Sequence, residues 1–257
     1  MKLYDAYIFD LDGTIFLGDA LLPTAGETIT RLRQMGKRTV FLSNNPTRTR
    51  EAYAAKLTRL GLPTPAADVI NSSYVMVDFL RRRHPQAKLF ALGEASLENE
   101  LRRAGFTLTE DAADIDVVIA SFDRTLVYRK LQIGFDALRN GARFYATNAD
   151  KFCPVPGGGE PDAAAVIAAL EASTDRQLEA VVGKPSQYMA DAILGLLDMA
   201  PAQCIMTGDR LETDVLMGLN AGMAGALTLT GATTAETAAT SSIKPTYIIH
   251  ALEELIP

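Results

Sequence analysis

Four short apolar runs in this chain end abruptly in a polar, chemically capable residue, and that repeated grammar constrains the fold more than any other feature. The runs are Tyr7-Ile8-Phe9-Asp10-Leu11-Asp12-Gly13-Thr14, Val40-Phe41-Leu42-Ser43-Asn44-Asn45, Val181-Val182-Gly183-Lys184-Pro185 and Ile205-Met206-Thr207-Gly208-Asp209. Each is short, rich in β-branched or aromatic residues and followed by a segment of helical period, which argues for βαβ units and a parallel sheet. In such a sheet the C-terminal strand ends share one rim, where open α/β folds bind ligands. The predicted class is therefore α/β, with the four polar termini converging.

The pattern repeats along the chain. Strands are predicted at Ala6–Phe9 and Thr39–Leu42, with helices at Thr24–Gln34 and Thr47–Leu60 closed by Gly36 and Gly61. Near the other end, strands are predicted at Ala180–Val182, Gln203–Thr207, Gly225–Leu229 and Tyr247–Ile249, with helices at Ser186–Leu197 and Leu211–Asn220. The two ends read as halves of one Rossmann-like sheet. Between them lie helices Tyr74–Arg82, Ser96–Arg103 and Leu126–Arg139, and strands Lys88–Leu92, Val117–Ala120 and Arg143–Ala146. That middle stretch has enough apolar strand for a core of its own. The expected division is a core of residues 1–79 and 180–257 and an inserted α/β domain of residues 80–179.

Composition narrows the function classes. The 257 residues are 48% hydrophobic and 22% charged with a net charge of −6, and no long basic tract is present, so a nucleic acid is not an expected partner. Met1 runs straight into Lys2-Leu3-Tyr4-Asp5, no apolar stretch of about 18 residues occurs, and the two cysteines, Cys153 and Cys204, build no disulfide framework. A soluble cytoplasmic protein with no membrane partner is expected. His84 and His250 fall outside the four runs and no Gly-x-Ser-x-Gly elbow occurs, which excludes a serine–histidine–aspartate hydrolase.

Asp10 and Asp12 are two residues apart, so an extended backbone turns both carboxylates to one face before Gly13 lets the chain bend away. A calcium loop counted from Asp10 would need a glutamate where Leu21 stands. A capped turn is the competing structural reading. Asp209 and Asp214 add two more acids to the rim against a single Lys184, and like charges at that density call for a cation. An all-oxygen set with no histidine or thiol cluster suits magnesium. Gly183-Lys184 is not a P-loop, because Leu178 and Pro185 occupy positions needing Gly and Ser or Thr. Lys184 on that rim favours contact with a bound anion, and Ser43 with the Asn44 and Asn45 amides makes either a helix cap or an oxyanion cradle.

Taken together, Asp10-Leu11-Asp12-Gly13-Thr14, Ser43-Asn44-Asn45, Gly183-Lys184-Pro185-Ser186 and Gly208-Asp209-Arg210-Leu211-Glu212-Thr213-Asp214 resemble the motifs of the haloacid dehalogenase superfamily phosphatases. Within them the chain is similar to the NagD-like and p-nitrophenyl phosphatase branch, subfamily IIA with a C2-type cap. Ala146-Thr147-Asn148-Ala149-Asp150 is similar to that branch's Ala-Thr-Asn-Pro-Asp, with Ala149 in place of proline. The resemblance implies a magnesium-dependent phosphatase acting on a small-molecule phosphate ester such as a sugar phosphate or nucleotide, through an aspartyl-phosphate. It implies Asp10 as nucleophile and Asp12 as general acid and base. Asp10, Asp12 (through its carbonyl), Asp209 and Asp214 make up the metal site, with Asp214 supporting it from behind. Ser43, Asn44, Asn45 and Lys184 are implied at the phosphate, Asn148 and Cys153 at the substrate, and a homodimer through the cap is compatible with it. The loop Lys151–Asp162 departs from the branch's pattern, and a Gly/Pro-rich turn into the next helix explains its glycines as well as a ligand role does. The alternative from another class is a catalytically silent phosphate-binding regulatory module, which predicts loss of an essential group; none is lost.

Overall fold

The computed structural model describes residues 1–155 and 157–257, and the chain divides into two compact units. The first comprises Met1–Ser43, Arg50–Ile70 and Lys184–Pro257; the second comprises Asn44–Thr49 and Asn71–Gly183.

Along the chain, β1 (Ala6–Asp10) is followed by a small antiparallel hairpin of β2 (Phe16–Leu17) and β3 (Ala20–Leu21), then β4 (Arg38–Ser43) and β5 (Val69–Asn71). The second unit supplies β6 (Lys88–Leu92), β7 (Thr107–Leu108), β8 (Val117–Ala120), β9 (Arg143–Ala146), the hairpin β10 (Phe152–Val155) and β11 (Gly158–Pro161), and β12 (Ala180–Val181). The chain ends with β13 (Cys204–Gly208), β14 (Ala224–Thr228) and β15 (Tyr247–Ile249).

The first sheet has six strands in the order β15-β14-β13-β1-β4-β5. β1 pairs in parallel with β13 on one side and β4 on the other, and all five of its residues are buried, as a central parallel strand covered on both faces requires. Tyr7, Phe9 and Phe41 stack in series through its core, which also takes in Ile29, Leu32 and Leu57 from the helices Ala25–Gln34 and Arg50–Arg59. Because the chain leaves β1 toward β4 and returns to β13 on the opposite side, the sheet changes winding direction between β1 and β13. Asp10 and Gly208 end these two strands at that point.

The second sheet runs β12-β9-β8-β6-β7, all parallel, over a core of Leu92, Val118, Leu138, Phe144, Val166 and Leu170. Its helices are Ser72–Arg83, Ala95–Arg103, Tyr128–Arg139 and Ala163–Thr174. Asn71 caps the first by accepting a 2.9 Å bond from the Tyr74 amide, and Asp162 caps the last through the Ala163 amide at 2.6 Å.

Several expectations change. The strand predicted at Ala180–Val182 is expected in the sheet of the chain ends, but Ala180–Val181 pairs with β9 in the second sheet, extended by a 3.0 Å bond from the Val182 amide to the Ala146 carbonyl. It is short enough to fit an edge of either sheet, and β9 captures it. Lys184, not residue 180, therefore opens the last segment of the first unit, and the earlier boundary falls after Ile70, not after 79, because helix Ser72–Arg83 packs with the second unit. The Gly/Pro-rich stretch Lys151–Asp162 is an antiparallel hairpin instead of a simple turn, apart from Pro156, which lies outside the described residues. The predicted helix Leu211–Asn220 opens with a wide turn at Leu211–Val215, where the Val215 amide reaches back five residues to the Arg210 carbonyl at 3.2 Å, before regular helix at Leu216–Asn220.

Candidate active site

Three aspartates meet at the reversal point of the first sheet. Asp10 is the last residue of β1, Asp209 follows Gly208 at the end of β13, and Asp214 sits in the wide turn beyond it. One carboxylate oxygen from each lies within 4.8 Å of the others, and all three residues are buried. Lys184 reaches into the same cluster. Its Nζ donates to Asp10 Oδ1 at 2.5 Å and to Asp214 Oδ1 at 2.6 Å.

Local backbone chemistry fixes these side chains. Asp209 Oδ2 accepts from the Ala232 amide at 2.6 Å, and Asp214 Oδ2 accepts from the Arg210 amide at 3.1 Å, closing the wide turn on itself. The crowding demands glycine. A methyl group at Gly208 would overlap the Asp214 carboxyl, one at Gly231 would overlap the Asp209 carboxyl, and one at Gly13 would stand 2.6 Å from Asp209 Oδ2. Gly13 also has φ +85°, which turns the chain sharply after Asp12.

Burial pushes the Asp10 carboxyl up to about 6 against the pull of Lys184, with Asp209 and Asp12 adding to the rise. Asp209 is pushed up to about 6 by burial and then by Asp214, and Asp214 to about 6 by burial and then by Asp10, with Lys184 opposing. For Lys184 burial pulls downward, but Asp10 and Asp214 outweigh it and hold the ammonium above the usual lysine range. Three buried carboxylates against one ammonium leave an excess of negative charge among oxygen donors. This donor set fits a hard divalent cation such as magnesium.

The other predicted site residues fall into two groups. Ser43 ends β4 in the first unit, where its Oγ donates to Tyr53 Oη at 3.0 Å. Asp12 is exposed on the turn after β1; the three converging carboxylates are Asp10, Asp209 and Asp214, so the Asp12 side chain is not part of that cluster. Asn44, Asn45, Asn148 and Cys153 belong to the second unit, where Asn44 and Asn148 meet at Asp150 and Asn45 pairs separately with Cys153. Asn44 Nδ2 donates to Asp150 Oδ2 at 3.0 Å, Asn148 Nδ2 donates to the same oxygen at 3.2 Å, and Asn45 Nδ2 faces Cys153 Sγ at 3.9 Å.

Sequence reasoning passed over the loop after β14. Thr230 Oγ1 donates to the Gly13 carbonyl at 2.7 Å, and Ala232 holds Asp209, so this loop braces both the Asp10-to-Gly13 turn and a carboxylate of the cluster. The signal was present: Ala226-Leu227-Thr228-Leu229 runs into Thr230-Gly231 by the same strand-then-polar grammar as the other four runs.

A family profile described as haloacid dehalogenase-like hydrolase matches residues 7–107, and a HAD-hydrolase-like profile matches residues 181–255. The sugar-phosphatase AraL of Bacillus subtilis is 37% identical over 96% of this chain and 90% of its own length. The chain belongs to the haloacid dehalogenase-like hydrolases. Within these hydrolases it is a NagD-like phosphatase. The crystal structure of a 4-nitrophenylphosphatase from Thermotoga maritima superposes with TM-score 0.94 at 35% identity, covering 98% of this chain and 96% of that one. NagD from Escherichia coli K-12 superposes with TM-score 0.89 at 29% identity over 98% of both chains. The 5′-nucleotidase YutF of Bacillus subtilis is 32% identical over 100% of this chain and 99% of its own length. Among the described residues no helix is long and apolar enough to cross a membrane.

Proposed function

We propose that this hydrolase cleaves small phosphate monoesters, a sugar phosphate or a nucleotide, in the cytoplasm, with magnesium as cofactor and an aspartyl-phosphate on Asp10 as intermediate. The observation that carries the reading is the buried meeting of Asp10, Asp209, Asp214 and Lys184 at the winding reversal of the first sheet. The cytoplasmic assignment is supported by the two free thiols, Cys153 and Cys204.

In this reading a carboxylate oxygen of Asp10 attacks phosphorus while the ester P–O bond breaks, and Asp12 gives its proton to the departing alkoxide. Asp12 then takes a proton from water, whose oxygen attacks the phosphorus of the aspartyl-phosphate. Inorganic phosphate leaves and the Asp10 carboxylate is restored. Lys184 and Ser43 hold the phosphoryl oxygens, Lys184 as a point charge that stays protonated throughout. Asp10, Asp209 and the carbonyl of Asp12 would hold magnesium with Asp214 behind them, and the ion would neutralise charge on the phosphoryl group. The exposed position of Asp12 suits a group that exchanges protons with water and leaving group instead of binding metal through its side chain. The second unit is taken as the cap, and the hairpin β10–β11 with Cys153 as its specificity element.

The sugar-phosphate and nucleotide assignments rest on AraL and YutF, each of which matches nearly the whole chain. The test uses p-nitrophenyl phosphate and a panel of sugar phosphates and nucleotides. Phosphate release should require magnesium and stop with EDTA. Asp10→Asn should abolish it. Asp12→Asn should slow turnover by roughly 10²–10⁴ and leave a phosphorylated chain visible by intact mass after acid quench. Full activity in EDTA, or substantial activity in Asp10→Asn, refutes the mechanism.

A further inference from the structure

Thr147-Asn148-Ala149-Asp150 carries the resemblance to a substrate-contacting motif, yet its polar side chains are engaged inside the protein. Asn148 is fully buried. Its Oδ1 accepts from Thr147 Oγ1 at 2.9 Å, and its Nδ2 donates to Asp162 Oδ1 at 2.9 Å and to Asp150 Oδ2 at 3.2 Å. A side-chain amide has two N–H donors, so both are committed to carboxylates that cap a helix or brace a loop. Asp150 Oδ2 also takes the hydrogen bond from Asn44 Nδ2 at 3.0 Å, while the Asn44 carbonyl accepts from Ser72 Oγ at 2.6 Å. Asn44 is thus held through both its side chain and its backbone.

Gly183 completes the arrangement. A Cβ at this position would stand 2.5 Å from the Thr147 carbonyl oxygen and 2.7 Å from Asn44 Oδ1, so the backbone of residue 183 lies directly against both. Asn44 and Gly183 are each the residue of the second unit that adjoins a change of unit in the chain, and their covalent neighbours are Ser43 and Lys184. The two groups assigned to the phosphate are thus the covalent neighbours of Asn44, which Asp150 holds, and of Gly183, whose backbone lies against Asn44 and Thr147.

We propose that Asp150 is a positioning residue of the phosphate cradle, acting through Asn44 and without touching substrate. The inference rests on the phosphatase reading above. It assigns the motif a mechanical role: Asp150 and Asn148 fix where the chain enters and leaves the segments that present Ser43 and Lys184. Losing a charge-assisted hydrogen bond of this kind lowers affinity by about tenfold when the bond acts fully on the bound state.

The test is a double-mutant cycle of Asn44→Ala and Asp150→Ala, read by kcat and KM on p-nitrophenyl phosphate and by calorimetric binding of inorganic phosphate. Asp150→Ala should lower kcat/KM about tenfold and weaken phosphate binding by a similar factor. Asp150→Asn, which keeps an acceptor, should stay within about threefold of wild type. The double variant should be no worse than Asn44→Ala. If Asp150→Ala fails to fold by circular dichroism, Asp150→Ser takes its place in the cycle, its side chain being too short to reach Asn44. Losses that multiply in the double variant overturn the proposal, as does a loss of activity with unchanged phosphate binding. Wild-type protein that neither releases nor binds phosphate would refute the phosphatase reading itself, and with it the positioning role.

Discussion

Replacing Lys184 by methionine should destabilise the protein in a manner that grows with pH, and the slope follows from the geometry. Lys184 is the ammonium paired at 2.5 and 2.6 Å with Asp10 and Asp214, both buried and both already pushed up to about 6. Removing the cation raises both folded-state values further. A carboxyl whose folded pKa lies above its unfolded value contributes stability at low pH and loses it as pH rises toward the folded value. The deficit of Lys184→Met relative to wild type is therefore small where the wild-type carboxyls are themselves largely protonated. Above pH 6 the wild-type pair ionises against Lys184 while the variant stays protonated, and each such proton costs about 1.4 kcal/mol per pH unit. Two pH units give about 3 kcal/mol if one carboxyl responds and about 5 kcal/mol if both do. That brackets the roughly 3–5 kcal/mol expected when a buried pair loses one partner. Lys184 itself stays charged across the window, so its own titration adds nothing. The assay is urea unfolding followed by circular dichroism, the chain having no tryptophan, at pH 5.5 and pH 8 in EDTA. Deficits within about 1 kcal/mol of each other at the two pH values would refute the coupling argument.

Magnesium should raise the melting temperature far more at pH 8 than at pH 5. Protons compete for Asp10, Asp209 and Asp214, each near 6, so equal shifts in differential scanning fluorimetry would place the ion elsewhere. Gly208→Ala should lower kcat/KM on p-nitrophenyl phosphate at least about tenfold, because the new methyl displaces the Asp214 carboxyl that holds Lys184; wild-type kinetics would exclude that crowding. Gly195→Ala provides the contrast. It sits exposed inside helix Gln187–Leu197 with nothing within 4 Å of the added methyl, and it should stabilise the protein by about 0.5–1 kcal/mol in chemical denaturation without changing activity.

The site was more legible in the sequence than the division of the chain, and the reason is physical. Asp10 ends and Asp209 directly follows a fully buried parallel strand, and a run such as Tyr7-Ile8-Phe9 has few places to go except the centre of a sheet, which fixes where the next residue emerges. Asp214 reaches the cluster from a wide turn and not from a helix start. The wide turn at Leu211–Val215 sets its carboxyl at the Arg210 amide, a geometry that periodicity does not encode. Ala180-Val181-Val182 carries too little apolar surface to choose a sheet by itself; its partner β9 chooses, and only a long-range contact records that choice. The hairpin at Phe152–Pro161 was hidden by Pro154 and three consecutive glycines, residues that weaken strand propensity, and its pairing is confined to two strands with no further neighbour, where such residues are tolerated. Asn148 runs the other way. Its motif resembles one expected at substrate, and its amide is fully buried with both donors committed to carboxylates; in the proposed reading it serves the reaction by holding other residues in place, through Asn44, which is joined to it by Asp150 and is covalently next to Ser43.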